Sequence, residues 1–437
     1  MRRKSGLLDV VHTLWANILI LGLNIGTGIL TARFLGAEGR GEMAAMIYWP
    51  QLMAYVLTLG LPSAITYHLK HNPSDANRIV GSIFWVGAVL GTIAAVIGVN
   101  IIPFWLRQYS VEVIEFAQYA MAFSPLALIG LMLVAAAQSR PTLKIFNIAR
   151  FSSPLITFFL LACLLMLSRL SPISAAISYF LGSAIVSSLL AIWACRKFRP
   201  LWSGSVQALR GLLSYGLRSY GVELLRVLSM YFDRMIVLFF LDATAMGLYV
   251  VALSLAQILN VIPNGISSVL FPRASGQSRE AVLHMSGQAI RFGLIAAIAA
   301  GIPLILAGPY LLGLVYGDEF THASSVLRLL IVYVMISGLA LILEQAYMAL
   351  GMPGRISLLQ GLAFGSGVPL LIWLVRDYGI EGAGISLLGM AILRFVLVYT
   401  NIARSMGVPA PGLFPRVDEV KHVYNSVKRR FFNNIII

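Results

Sequence analysis

From Leu8 to about Arg404 the chain writes long apolar stretches one after another, and its charge lies mostly in the short connections between them. Twelve segments of roughly 20 or more residues stand out, each long enough to cross a hydrocarbon core of ~30 Å as a helix. They cover residues 8–33, 43–69, 79–105, 113–138, 145–168, 172–195, 212–241, 244–271, 286–310, 321–350, 355–375 and 380–403. Inside a bilayer only helices and closed barrels satisfy their own backbone, and segments of this length are helical. The pattern predicts an all-α polytopic membrane protein. Its connections are too short to hold a soluble domain, so function has to lie between helices.

Composition agrees, with 59% hydrophobic and 11% charged residues, outside the range of soluble domains. A net charge of +15 would point to nucleic acid in a soluble protein. Here 22 of the 32 basic residues fall at the N-terminus, in alternate connections and in the tail, from Arg2, Arg3 and Lys4 to Lys428, Arg429 and Arg430. The opposite connections hold six (Arg33, Arg40, Arg107, Arg169, Arg328 and Arg376), and the remaining four lie within spans. This alternation is the positive-inside signature, and it predicts that both termini are cytoplasmic. The basic excess is therefore topology, and no nucleic-acid partner is expected. Met1-Arg2-Arg3-Lys4 and the run after it read as a retained first span, because the run is too long for a signal peptide and lacks a small-residue cleavage site. Cys163 and Cys195 fall near opposite ends of the fifth and sixth spans, too far apart to bridge; both are expected to pack as apolar residues.

A weak internal repeat divides the chain. Phe34-Leu35-Gly36-Ala37 with Gly41 is echoed by Phe240-Leu241-Asp242-Ala243 with Gly247, an offset of 206. Ser174-Ala175-Ala176-Ile177-Ser178 is echoed by Gly382-Ala383-Gly384-Ile385-Ser386, an offset of 208. Six spans per half is an even number, so both halves enter the bilayer in the same orientation. That predicts two six-helix lobes related by a parallel pseudo-twofold repeat, over residues 1–200 and 201–407. Residues 408–437 remain as a basic amphipathic tail, with Val417, Val420, Tyr424, Val427 and Phe431 opposite Lys421, Lys428, Arg429 and Arg430. Such a helix is expected to lie on the anionic inner leaflet.

Ionisable residues inside spans are costly, at roughly 2.5–3.5 kcal/mol each on insertion scales, and usually face a cavity or a partner. The seventh span carries Arg218, Glu223, Arg226, Asp233 and Arg234, which project within about 160° of one another at ~100° per residue. Glu223 and Arg226 are three apart and can pair along the helix. Glu344 in the tenth span and Arg394 in the twelfth add one charge each. Thr13, Asn17, Asn24, Thr27 and Thr31 form a polar stripe on the first span; Gln51, Tyr55, Thr58 and Thr66 do so on the second, and Ser254, Gln257, Asn260, Asn264 and Ser268 on the eighth. Neutral stripes serve equally as interhelical glue or as cavity lining. Arg218, Arg226 and Arg394 favour a cavity, since neutral glue needs no net charge. Glu223, Asp233, Arg234 and Glu344 are candidates for ion coupling or for structural pairs, and Glu344 has no basic neighbour within a turn of its own helix. Pro62, Pro125, Pro263, Pro303 and Pro369 interrupt spans.

No G-x-x-x-x-G-K-[ST] occurs, so no ATP motor is built in. The six histidines show no helical metal spacing and no Ser-His-Asp grouping is evident. Neither an enzyme nor a cofactor is expected.

Several segments together resemble the polysaccharide-transporter (Wzx-type flippase) branch of the multidrug/oligosaccharidyl-lipid/polysaccharide exporter superfamily. Asn24-Ile25-Gly26 through Thr31-Ala32-Arg33-Phe34-Leu35-Gly36 to Gly41 is similar to that branch's opening. Asp233-Arg234, Phe240-Leu241, Gly247-Leu248-Tyr249 and Leu270-Phe271-Pro272-Arg273 resemble its seventh-to-eighth-span passage, and Tyr378-Gly379-Ile380-Glu381-Gly382-Ala383-Gly384 its final hairpin. The resemblance implies alternating access around a central cavity. It also implies movement of undecaprenyl-pyrophosphate-linked sugars across the bacterial inner membrane for O-antigen, capsule or exopolysaccharide assembly. A cationic cavity formed by Arg218, Arg226 and Arg394, with Asn17, Asn24 and Gln257, would suit the pyrophosphate. Expected partners are the lipid-linked oligosaccharide, membrane lipids, and the polymerase and glycosyltransferases of the same pathway. The alternatives are a cation-coupled small-molecule or drug exporter, a peptidoglycan-precursor flippase, and a non-transporting scaffold for polysaccharide enzymes.

Overall fold

The computed structural model describes residues 2–201, 205–406 and 411–413; the expected tail helix at 417–431 lies outside them. The described residues form helices and turns without strands. In chain order the helices are α1 (Arg2–Val56), α2 (Leu61–His71), α3 (Ala76–Trp105), α4 (Val111–Ala120), α5 (Ser124–Gln138), α6 (Lys144–Met166) and α7 (Pro172–Phe198). They continue with α8 (Ser205–Phe240), α9 (Ala243–Ala256), α10 (Val261–Ala274), α11 (Arg279–Leu311), α12 (Ser324–Ala349) and α13 (Pro353–Met406).

A straight 55-residue helix would run about 80 Å at 1.5 Å per residue, far more than a bilayer accommodates. Both long helices therefore break at a glycine with positive φ: α1 at Gly36 (φ 70°) and α13 at Gly379 (φ 59°). At the second break the chain turns back so tightly that a Cβ on Gly382 would meet the Leu374 carbonyl oxygen at 1.9 Å. Other spans are interrupted by short turns. Leu57–Gly60 separates α1 from α2, a 3₁₀ turn at Met121–Phe123 separates α4 from α5, and another at Gln257–Asn260 separates α9 from α10. Pro62 and Pro125 were expected inside spans; each instead stands in the first turn of the segment that follows the break, where a missing N–H costs nothing. Counted through these breaks, the twelve expected crossings are present among the described residues. Nine described stretches are long and apolar enough to cross a membrane; α8 falls outside that set because of its charges.

The described residues pack as two compact units. One takes residues 1–254, 310–324 and 371–383, the other 255–309, 325–370 and those from 384 onward. In the first, the two copies of the repeat meet. A Cβ on Gly41 would lie 1.7 Å from the Ala243 carbonyl oxygen, and one on Gly247 would lie 1.9 Å from that of Ala37. The 206-residue offset maps each of these contacts onto the other, so the crossing is self-complementary, and small residues let the backbones touch. The two copies cap their helices differently. Asp242 accepts from Ala245 N at 2.8 Å, whereas its counterpart is Gly36, and the Ala37 N–H donates to Glu319 Oε2 at 3.0 Å. The second unit has a core of Leu270, Leu283, Ile290, Leu343, Tyr347 and Val398 from α10, α11, α12 and α13. Tyr347 donates its hydroxyl to the Val398 carbonyl at 3.0 Å. Cys163 and Cys195 are unpaired and both are exposed.

Candidate functional site

Within the first unit the second limb of α1, with α5, α6 and α7 and one residue of α8, encloses a cavity of about 490 Å³. Gln51 and Tyr55 project from α1, one turn apart, and belong to the stripe seen on the second span. Ser183 and Ser187 come from α7, Ser153 from α6, and Tyr179 and Phe180 from the first third of α7. Tyr231 of α8 stands 5.7 Å from Tyr55, ring centroid to ring centroid, and completes the wall. One cation lines the space, Arg150, with its guanidinium carbon 5.3 Å from the Phe146 ring centroid. No carboxylate is among the lining residues. Arg150 was counted at sequence level with the inner, topology-setting charges. The signal that marks it out is its place inside the fifth apolar segment, six residues after the start of α6.

The charges of α8 find different partners. Arg226 donates to Glu223 at 2.5 and 3.3 Å, which closes the i, i+3 pair expected from spacing. Asp233 and Arg234 are both buried but turn to different partners. The Tyr249 hydroxyl donates to Asp233 Oδ2 at 2.5 Å, while Arg234 lies over the rings of Tyr48 (5.2 Å) and Tyr231 (5.7 Å) and donates to the Met230 carbonyl. Arg234 Nε has no hydrogen-bond partner. Aromatic faces thus share the stabilisation of this buried cation. Arg218 is exposed and makes no ion pair among the described residues.

In the second unit Arg394 of α13 and Glu344 of α12 form a two-pronged ion pair. Nε reaches Oε1 and Nη2 reaches Oε2, both at 2.7 Å, and Gln360 Nε2 adds a third bond at 3.0 Å. Glu344 is buried, at 3% exposure. Cavity lining was expected for Arg394, and ion coupling or a structural pair for Glu344; the two side chains pair with each other. Charge-assisted, bidentate geometry is what makes a buried pair tolerable in an apolar bundle. Gln257 also belongs to this unit and is exposed on its 3₁₀ turn.

The stripe on the first span is mostly self-satisfied. Thr27 donates to the Asn24 carbonyl and Thr31 to the Thr27 carbonyl, at 3.0 and 2.7 Å, and both threonines are buried. Asn17 and Asn24 are exposed, and neither lines the cavity. Ser254 and Ser268 likewise bond to carbonyls of their own helix.

The sequence profile of a family described as polysaccharide biosynthesis protein matches residues 30–325. A relative described as "Probable low-salt glycan biosynthesis flippase Agl15", from Haloferax volcanii, is 24% identical over 216 residues, which are 47% of this chain and 46% of that protein. The matched region thus spans about half the length of that relative. The solved structure of lipid II flippase MurJ in an inward closed conformation superposes with a TM-score of 0.77 at 15% identity, over 98% of this chain and 93% of that one. An inward-facing multidrug resistance MATE family transporter of the MOP superfamily superposes with a TM-score of 0.72 at 17% identity, over 88% and 95%. These structural likenesses show that the chain shares its α-helical fold with those two transporters. With the profile covering well over half of its length, this multi-pass membrane chain belongs to the polysaccharide biosynthesis protein family.

Proposed function

We propose that the chain is a flippase that moves an undecaprenyl-pyrophosphate-linked oligosaccharide from the inner to the outer leaflet of the bacterial inner membrane. It would work by alternating access between two six-helix lobes (1–200 and 201–407), with both termini cytoplasmic. The product would feed O-antigen, capsule or exopolysaccharide assembly, alongside the polymerase and glycosyltransferases of that pathway. The observation that carries this reading is the state of the charges inside the spans. Each carboxylate deep in a span already has an internal partner: Arg226 for Glu223, Tyr249 for Asp233, and Arg394 with Gln360 for Glu344. Arg218 and Arg150, by contrast, make no ion pair among the described residues. Cations without a carboxylate partner suit an anionic headgroup. A cation-coupled drug exporter needs the reverse, an acidic group free to receive its cargo or coupling ion.

The relative's printed description as a glycan biosynthesis flippase supports the same reading. The MurJ neighbour keeps a peptidoglycan-precursor flippase as the second reading, and the MATE neighbour keeps an exporter as the third. A deletion strain tests them. The expected phenotype is lipid-linked glycan held on the inner leaflet, restored by the wild-type gene and poorly by R218Q. Intact glycan with raised drug sensitivity would favour the exporter, and loss of cell-wall precursor transport would favour the peptidoglycan route. Full restoration by a variant lacking the Arg218, Arg226 and Arg394 charges would favour a scaffold.

A further inference from the structure

The cavity between α1, α5, α6 and α7 has Tyr55 and Tyr231 in its wall, and of the two cations without an ion pair named above, Arg150 lines it and Arg218 does not. We propose that it is a binding site for the sugar-phosphate end of a lipid-linked glycan, a subsite held entirely within the first unit. This proposal rests on the flippase reading.

Three observations converge on that chemistry. The first is charge. Arg150, an exposed residue six positions into α6, is the one cation among the lining residues, with an aromatic ring beside it and no carboxylate on the cavity wall. The planar fork of a guanidinium matches two phosphate oxygens. The second is the pattern of the wall. A sugar ring has an apolar C–H face and a rim of hydroxyls, and the wall offers both complements. Tyr55 and Tyr231, tilted 31° to each other, give aromatic faces, and Ser153 and Ser187 give hydroxyls that donate and accept. Ser187 is also held in place, because a Cβ on Gly130 would fall 2.2 Å from its Oγ. The third is size. A cavity of about 490 Å³ falls within the roughly 300–1,000 Å³ typical of small-molecule sites. It is too small for a lipid-borne oligosaccharide, so only one end of the substrate enters.

The test uses purified full-length protein and three probes. These are a short isoprenyl phosphate bearing one sugar, the same isoprenyl phosphate without sugar, and an uncharged glycoside of the same isoprenyl alcohol. Wild type should bind the first most tightly. R150Q should weaken both phosphate probes by tenfold or more and leave the uncharged glycoside unchanged, with R150K intermediate. Ser183→Phe, which fills the cavity without altering its charge, should weaken all three. Retention of phosphate binding by R150Q, or of all three probes by S183F, overturns the proposal. So does displacement of the phosphate probes by tetraphenylphosphonium, an apolar cation, with equal strength in wild type and R150Q. Complementation separates this proposal from the reading beneath it. Full glycan display with R150Q overturns the subsite and leaves the flippase standing. A deletion strain without trapped lipid-linked glycan removes the flippase reading, and the glycan occupant with it.

Discussion

Glu344 shows how a side chain's role follows from its neighbours. A carboxyl alone in a bilayer is raised in pKa by desolvation and makes a ready proton carrier. Here two guanidinium nitrogens at 2.7 Å and the Gln360 amide satisfy both of its oxygens. Removing one member of a buried pair leaves the other uncompensated, at about 3–5 kcal/mol. E344Q should therefore lower the thermal midpoint of the detergent-solubilised protein substantially, and E344Q/R394Q should recover part of the loss. An E344Q protein of unchanged stability whose transport no longer depends on pH would restore the proton-carrier role. Glu319 is a milder case. It supplies the helix cap at the copy of the repeat where Gly36 stands in the place that Asp242 holds in the other. E319A should cost about 1 kcal/mol, the usual loss for a capping side chain. The measurement is the unfolding midpoint against E115A, an exposed control on α4.

At the scale of elements, the crossing of the two repeat copies is the most demanding contact. Ala37 and Gly41 lie against Ala243 and Gly247 with backbone atoms where side chains would be. Overpacking of a tight interface typically costs about 1–3 kcal/mol, and backbone cannot yield as a side-chain tip does. G41A and G247A are each expected to reduce the yield of monodisperse protein. The two effects should be similar in size, because the contact is self-complementary. Fluorescence-detected size exclusion reads this directly. Markedly unequal effects would show that the two sides of the crossing bear different loads. The aromatic and polar ties at the end of α3 support the same region: Trp105 donates to the Met235 carbonyl at 2.9 Å and Gln108 to that of Phe240 at 2.7 Å.

For the whole molecule, the alternation of basic residues predicts a side of the membrane for each connection. Single cysteines at Glu38, Asp242 and Asp318 should react with an impermeant maleimide added to intact cells, and cysteines at Arg199 and Arg279 should not. Glu38 serves better than Arg40, which the structure buries. Labelling at Arg199 in intact cells would invert the topology and with it the proposed direction of transport.

Span number, helical class and the repeat were legible in the amino-acid order because each is a local or summed property. Twenty apolar residues must be helical in a bilayer whatever their neighbours, and Phe34-Leu35-Gly36-Ala37 and Phe240-Leu241-Asp242-Ala243 announce their kinship by identity alone. The Glu223–Arg226 pair was legible for the same reason, since both residues sit on one helix three positions apart. What tertiary structure decided was the partner of each remaining charge and the wall that each polar residue faces. Glu344 and Arg394 are 50 residues apart on different helices. Arg150 reads as an inner-surface charge until the rotation of α6 places it on the cavity wall. A soluble helix discloses its inward face through an apolar stripe. A membrane helix is apolar toward lipid and toward protein alike, so periodicity leaves its rotation undetermined until packing sets it.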